Sequence, residues 1–282
     1  PARIKGDAFA NESGLRAVCA PAQIHQPWAN FGSAADKINC RKFGFQGRSA
    51  MGFQLGIMGF GQGLHCMFTD LFASLPIGKN FRFTTLAVVD DVFPAQIDDY
   101  DGYLVSGSAF GVYDDAPFIP KLMDFLRQIY AAKKPLAGVC FGHQIIAHAL
   151  GGHARKWDKG WGLGVKELAL TDLPDWIETS RDKINLIHVH QDQVTSLPDG
   201  ARRIASADHC TNAAFVIGDD VFAIQGHPEF DADYTDALSN LLVDRAGTDC
   251  VNEARQSLAT PHDGKLVASW ILAFFAKHAP TG

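Results

Sequence analysis

No uninterrupted apolar run in the chain approaches the roughly 18 residues that a membrane-spanning helix needs. Nor is there a C-x-x-C pair, an internal repeat or, after Met51, a glycine-serine linker or low-complexity tract. Cys19, Cys40, Cys66, Cys140, Cys210 and Cys250 are scattered through 282 residues. A chain of that size can build a core without staples, so the pattern points away from a disulfide framework or a structural zinc site and toward a reducing, cytoplasmic setting. Strong charge of one sign is also absent, since 25 basic side chains face 31 acidic ones for a net of -6. Residues 1–50 carry seven basic and three acidic groups, so the remainder stands at -10. That remainder repels phosphate backbones and anionic lipid, and neither a nucleic acid nor a membrane surface is expected as a partner. At 47% hydrophobic and 20% charged, the composition is that of an ordinary globular protein.

Residues 1–50 mix small, polar and basic residues without a sustained period, and the first methionine is Met51. They are expected to be an N-terminal extension, disordered or not native, with the domain occupying 51–282. From there the texture changes to short apolar runs alternating with helical patterns. Strands are predicted over Phe53–Phe60, Phe81–Val89, Tyr100–Ser106 and Pro135–Val139. Helices are predicted around Phe68, Leu71 and Phe72, over Pro117–Lys134 and over Gly142–Leu150. The second half is richer in strands (Val165–Leu170, Ile184–His190, Arg202–Ala205, Ala213–Ile217, Val221–Gln225) and closes on helices, the last over Lys265–His278. Such alternation implies an α/β three-layer sandwich, a mixed and mostly parallel open sheet with helices on both faces. The apolar stretch Leu266 to Phe275 reads as core, and Trp157 and Trp161 as packing a loop or lining a site.

Chemistry concentrates at Gly138-Val139-Cys140-Phe141-Gly142-His143-Gln144. A nucleophile between a buried strand and a helix sits on a tight turn, which requires small residues two positions to either side. The same turn places the thiol at a helix N-terminus, where the dipole favours thiolate and the Phe141 amide can face a developing oxyanion. A thiol needs a base, and the base an orienting group. Gly226-His227-Pro228-Glu229 follows the apolar strand ending at Gln225, so both side chains emerge at a strand's C-terminal edge. His227 is the candidate base and Glu229 its orienting carboxylate.

These blocks, with Ser106-Gly107-Ser108, Val112-Tyr113-Asp114 and His190-Gln191-Asp192-Gln193-Val194, resemble the class I, triad-type glutamine amidotransferase family in its chain order Cys, His, Glu. The likeness covers about 53–234 and is greatest to stand-alone members similar to the glutaminase part of GMP synthase. It implies a flavodoxin-like fold and a catalytic Cys140, His227 and Glu229. It implies oxyanion-hole amides from Gly107 and Phe141, and substrate contacts from Gln144, Ser108, His190, Gln191 and Asp192, with no cofactor and no metal. It further implies attack on a small glutamine or γ-glutamyl amide, a thioester and released ammonia. The chain lacks the Ser-Gly-Gly-x-Asp-Ser loop of an ATP pyrophosphatase, so any synthase that accepts the ammonia would be a separate subunit. Ser108 and Gln191 stand where the family often has glycine, which keeps γ-glutamyl peptidase activity on glutathione-like conjugates as the alternative.

Two other readings stand beside this one. His188-Val189-His190-Gln191-Asp192 fits the H-x-H-x-D opening of a dinuclear metallohydrolase, because alternating histidines on a strand share a face. That pattern normally continues with another histidine, where Gln193 stands. A catalytically silent binding module is the other, against which the intact Cys140, His227 and Glu229 argue.

Overall fold

The computed structural model describes residues 52–60 and 64–279. The expected N-terminal extension lies outside the described residues. Eleven strands are described: β1 (Phe53–Met58), β2 (Phe81–Leu86), β3 (Gly102–Val105), β4 (Leu136–Val139), β5 (His153–Lys156), β6 (Gly162–Leu170), β7 (Lys183–His190), β8 (Asp192–Ser196), β9 (Ala201–Ala207), β10 (Cys210–Ile217) and β11 (Val221–Ile224). The α-helices are α1 (Leu64–Ser74), α2 (Phe118–Ala131), α3 (Phe141–Ala149), α4 (Ala232–Leu241), α5 (Val243–Ala246), α6 (Thr248–Ser257) and α7 (Gly264–Ala276).

Nine strands form one sheet in the order β2-β1-β3-β4-β11-β10-β9-β6-β7. The first five are mutually parallel, and every later neighbour pairs antiparallel. Each antiparallel step reverses direction, so only β10 and β6 oppose the other strands, and the sheet is mixed but mostly parallel as expected. β4 and β11, at its centre, are buried at every position, which is why both read as unbroken apolar runs and not as alternations.

Side-chain alternation sends the core to both faces. Leu55 and Ile57 of β1, Leu104 of β3, Ala137 and Val139 of β4, and Phe222 and Ile224 of β11 pack with Phe68 and Phe72 of α1 and with the apolar face of α7. Met58, Tyr103, Val105, Leu136, Val221 and Ala223, displaced by one residue along the same strands, pack under α2 and α3. In α2 the buried set Phe118, Ile119, Leu122, Phe125, Leu126 and Ile129 follows the three-and-four spacing that predicted the helix. A smaller cluster seats α4 and α6 on β6 and β7 through Leu238, Val251, Ala254, Val165 and Ile187.

Some boundaries differ from the expectation. β2 ends at Leu86, because Val88–Asp90 turns into a short 3-10 segment whose following residue, Asp91, has φ 64°. β5 and β8 form a separate two-stranded ribbon that was not predicted. His153, Arg155 and Lys156 are exposed, so β5 has no apolar alternation to read.

The element that positions the site is the step from β4 to α3. Cys140 has φ 54° and ψ -104°, a conformation that side-chain-bearing residues avoid and that costs on the order of 1–3 kcal/mol. The surroundings hold it there. Cys140 N donates to Ile224 O (3.0 Å), Gly142 N to Ser106 O (3.2 Å) and Gln144 N to Cys140 O (3.1 Å). There is no space for side chains at the flanking glycines. A Cβ on Gly138 would lie 2.5 Å from Gly142 C, and one on Gly142 would lie 2.1 Å from Val105 O. Both obstacles are backbone and cannot rotate away. Gly142→Ala should therefore cost about 3 kcal/mol or more, read as a lower midpoint in urea unfolding; an unchanged midpoint would refute the account of the turn.

Candidate active site

The apolar strand β11 delivers His227 to the same edge of the sheet. After Gln225-Gly226, His227 N donates to Ile187 O at 2.7 Å, and the two residues form an isolated antiparallel bridge. The imidazole is clamped between fixed partners. It stacks on Phe230 at 3.9 Å between centroids and 5° between planes, and its Nδ1 lies 2.7 Å from Glu229 Oε1. The two side chains are 4% and 0% exposed. With Nδ1 committed to the carboxylate, the other ring nitrogen is left for Cys140, to which the imidazole is also hydrogen-bonded. Burial alone would drive protons off this histidine. The charges of Glu229 and Cys140 and their hydrogen bonds outweigh it and push the imidazole up to about 10. Cys210, deeper in the core, is pushed up to about 12 by burial and the nearby Cys140, so its thiol is inert at neutral pH.

The loop after β3 closes over this pair. A Cβ on Gly107 would lie 2.8 Å from His227 Cε1 and 3.7 Å from Cys140 Cβ. Neither Gly107 N nor Phe141 N, the first N–H of α3, donates to a backbone carbonyl among the described residues. Ser108 Oγ accepts from Phe110 N at 3.2 Å and so shapes the turn it sits on.

The residues from the β7–β8 junction fall into two groups. Asp192 carries its carboxylate toward the Gly111–Tyr113 loop, where a Cβ on Gly111 would be 3.0 Å from Oδ2. Tyr113, half-exposed beside it, hydrogen-bonds to it, although burial raises the carboxyl above its ordinary value. Gln191 Nε2 donates to Trp157 O at 3.3 Å. Gln144 and His190 are buried and engaged with protein partners. Gln144 Nε2 donates to Asp192 O (2.9 Å) and Gln225 Oε1 (3.1 Å). His190 Nδ1 meets Asp192 O at 3.0 Å, and its Nε2 meets His188 Nδ1 at 3.0 Å.

Phe230, Tyr113, Gln225 and His209 were not singled out from sequence, although Tyr113 lies within a matching block. Phe230 had a readable signal, an aromatic following the carboxylate; His209, in a turn between strands, had none. Trp157 packs a loop, with Arg155 and Lys159 over its ring at 5.3 and 5.4 Å. No helix among the described residues is long and apolar enough to cross a membrane.

This arrangement, a thiol on a strained elbow beside a buried histidine–carboxylate pair, is equipped for nucleophilic attack on an acyl carbon. Residues 80–241, more than half of the chain, match the family model described as glutamine amidotransferase class-I. Gamma-glutamyl peptidase 3 of Arabidopsis thaliana is 35% identical over 151 residues, covering 51% of this chain and 61% of that protein. The glutamine-hydrolyzing GMP synthase of Bacteroides fragilis is 29% identical over 164 residues, covering 55% of this chain and 30% of that protein. The match thus spans less than two thirds of the length of either relative. A crystal structure of a glutamine amidotransferase from Methylobacillus flagellatus superposes with a TM-score of 0.62 at 22% identity, over 82% of this chain and 96% of that one, which shows the shared fold. The chain belongs to the class I glutamine amidotransferase family.

Proposed function

We propose that the protein is a cysteine amidohydrolase that cleaves a γ-glutamyl amide, with glutamine as donor and ammonia as the released product. The observation that carries this reading is Cys140 on its elbow, hydrogen-bonded to an imidazole that is itself held 2.7 Å from Glu229. The sulfur attacks as thiolate, beside the charged imidazole that Glu229 favours. Cys140 Sγ adds to the γ-carbonyl carbon, and the resulting oxyanion is met by the Gly107 and Phe141 amides. His227 gives its proton to the departing nitrogen, the C–N bond breaks, and a γ-glutamyl thioester remains. His227 then takes a proton from water, whose oxygen attacks the thioester and regenerates the thiolate. Glu229 holds the tautomer and offsets the imidazolium charge throughout.

Ser108, Gln191 and Asp192 are assigned to the amino-acid end of the substrate, Asp192 as the group for its ammonium. Gln144 and His190 are assigned a positioning role, since both hold the Asp192 carbonyl. A second reading, a γ-glutamyl peptide as donor, is favoured by the likeness to gamma-glutamyl peptidase 3 and by Ser108 and Gln191 replacing the family's usual glycines. If ammonia is passed on, the acceptor is a separate synthase subunit.

A diazo-ketone analogue of glutamine should alkylate Cys140 alone, and Cys140→Ala should lose about a thousandfold or more in kcat/KM. Mass-mapped adducts on Cys210 or Cys250, or full activity of the variant, would overturn the mechanism. Ammonia release from glutamine against glutamate release from γ-glutamyl dipeptides decides between the donors.

The charge on His227 also sets a dependence on pH. Folding raises the proton affinity of His227, so its contribution to stability is complete below the ordinary histidine value of about 6.5. It is lost as pH rises through the folded value of about 10. Activity needs the same imidazolium, so the alkaline limb of kcat/KM should lie near that value. Glu229→Gln removes the charge that holds it there and should move the limb toward neutrality. A limb that does not move would mean that Glu229 does not set the imidazole's charge.

A further inference from the structure

Next to the proposed catalytic centre, but not part of it, three histidines converge. His188 and His190 lie on one face of β7, and His209 reaches them from the two-residue turn between β9 and β10. Their candidate donor nitrogens all lie within 4.8 Å of one another. β9, β6 and β7 are neighbours in the sheet, so the cluster spans three adjacent strands. It closes over Gly162 of β6, where a Cβ would lie 2.6 Å from His190 Nε2 and 2.9 Å from His209 Nε2. Any side chain there would fill the space between the rings.

The hydrogen bonds fix the tautomers. Asp192 O can only accept, so His190 Nδ1 carries a proton and donates to it at 3.0 Å. His190 Nε2 is therefore a bare lone pair, aimed at His188 Nδ1 at 3.0 Å. A backbone carbonyl that orients a histidine through its far nitrogen is the usual outer support of a metal-bound imidazole. His188 Nε2 and His209 Nε2 are buried without a hydrogen-bond partner among the described residues, an expense that neutral rings bear without compensation from the protein. Neutral imidazoles are the form in which histidine binds metal.

We propose that His188, His190 and His209 form a binding site for one divalent transition-metal ion of the zinc class. His190 Nε2, His209 Nε2 and His188 Nδ1 are the donors, and the fourth position is left to water. Tetrahedral Zn(II) with three imidazoles holds its nitrogens about 3.3 Å apart, so the 3.0 Å pair needs to open only slightly. The proton on His188 Nδ1 relocates to its Nε2, and the three neutral rings bind without net proton release. His209 is partly exposed while His188 and His190 are buried, so the ion enters through the turn. The ion would tie β7 and the β9–β10 turn together over β6. Thiol attack does not pass through it.

The test is titration of the untagged Cys140→Ala chain with Co(II), a background in which the elbow offers no thiolate ligand. One equivalent should bind and develop the intense visible absorption of four-coordinate Co(II), Zn(II) should displace it, and Zn(II) should raise the thermal midpoint. His209→Asn should weaken binding by about a hundredfold or more, while His153→Asn, on exposed β5, should leave it unchanged. His188→Leu is the second variant, to be used if circular dichroism shows that His209→Asn does not fold. Absence of stoichiometric binding, or unchanged affinity in the folded cluster variant, would overturn the site. Because Cys140→Ala is silent in either case, the result is separate from the fate of the amidohydrolase reading.

Discussion

The backbone of Cys140 is the constraint on which the rest of the structure depends. One residue with φ 54° joins a fully buried central strand of the sheet to the helix that covers it. That joint is unfavourable by itself, and three backbone hydrogen bonds from three different segments hold it. Those segments are the loop after β3 that carries Gly107, the end of β11 that leads to His227, and the first turn of α3. The strain and the site therefore share their supports. Relaxing Cys140 toward an ordinary conformation would break contacts to Ser106 and Ile224 and shift the loop that carries Gly107. A strained residue persists only where the surroundings over-determine it, and the parallel centre of the sheet, packed on both faces, provides that rigidity.

A second cost sits beside the first. Two ionisable groups, His227 and Glu229, are almost completely withdrawn from water. Removing two charges from solvent costs several kcal/mol per ion, by the usual order of magnitude, and their attraction alone often does no more than balance it. Here the carboxylate spends one oxygen on His227, while its Oε2 has no hydrogen-bond partner among the described residues. A fold selected for stability alone would do better with apolar residues in those positions. Phe230 stacks on the imidazole and excludes water from one face, which strengthens the pair and preserves its direction. The pair makes physical sense as equipment for holding a proton at one place.

Legibility in the sequence followed the range of the interactions. The elbow could be read directly because its five residues are consecutive, although only Gly138 is dictated within the turn, by Gly142, while Gly142 itself is dictated by the backbone of Val105 on β3. The sheet centre was readable because continuous burial leaves continuous apolar runs at β4 and β11. What could not be read depends on distant chain segments. Gln144 looks like a free polar side chain until it meets Asp192 and Gln225, 48 and 81 residues away. His190 likewise has the composition of a substrate ligand and the surroundings of a buried support. β5 is held by its partner β8 and not by its own pattern, so no period in its four residues announces it. The early end of β2 has a similar origin, since the apolar residues after Leu86 belong to a turn whose geometry is set at Asp91.

The string His188-Val189-His190-Gln191-Asp192 shows how topology can divide what spacing unites. Read along the chain, its alternation puts two histidines and a carboxylate within reach of one metal. In the fold, β7 ends at His190, and Asp192 opens β8, which pairs with β5 in a different sheet. The carboxylate therefore departs toward Tyr113, while the two imidazoles stay over Gly162 and gain His209 in its place. Only the Asp192 main-chain carbonyl remains on the histidine side, and it fixes the proton of His190. One residue thus supplies a charged group to the cleft and a neutral acceptor to the cluster. Its carbonyl oxygen accepts from both Gln144 and His190, which couples the position of this residue to the arrangement of the histidines.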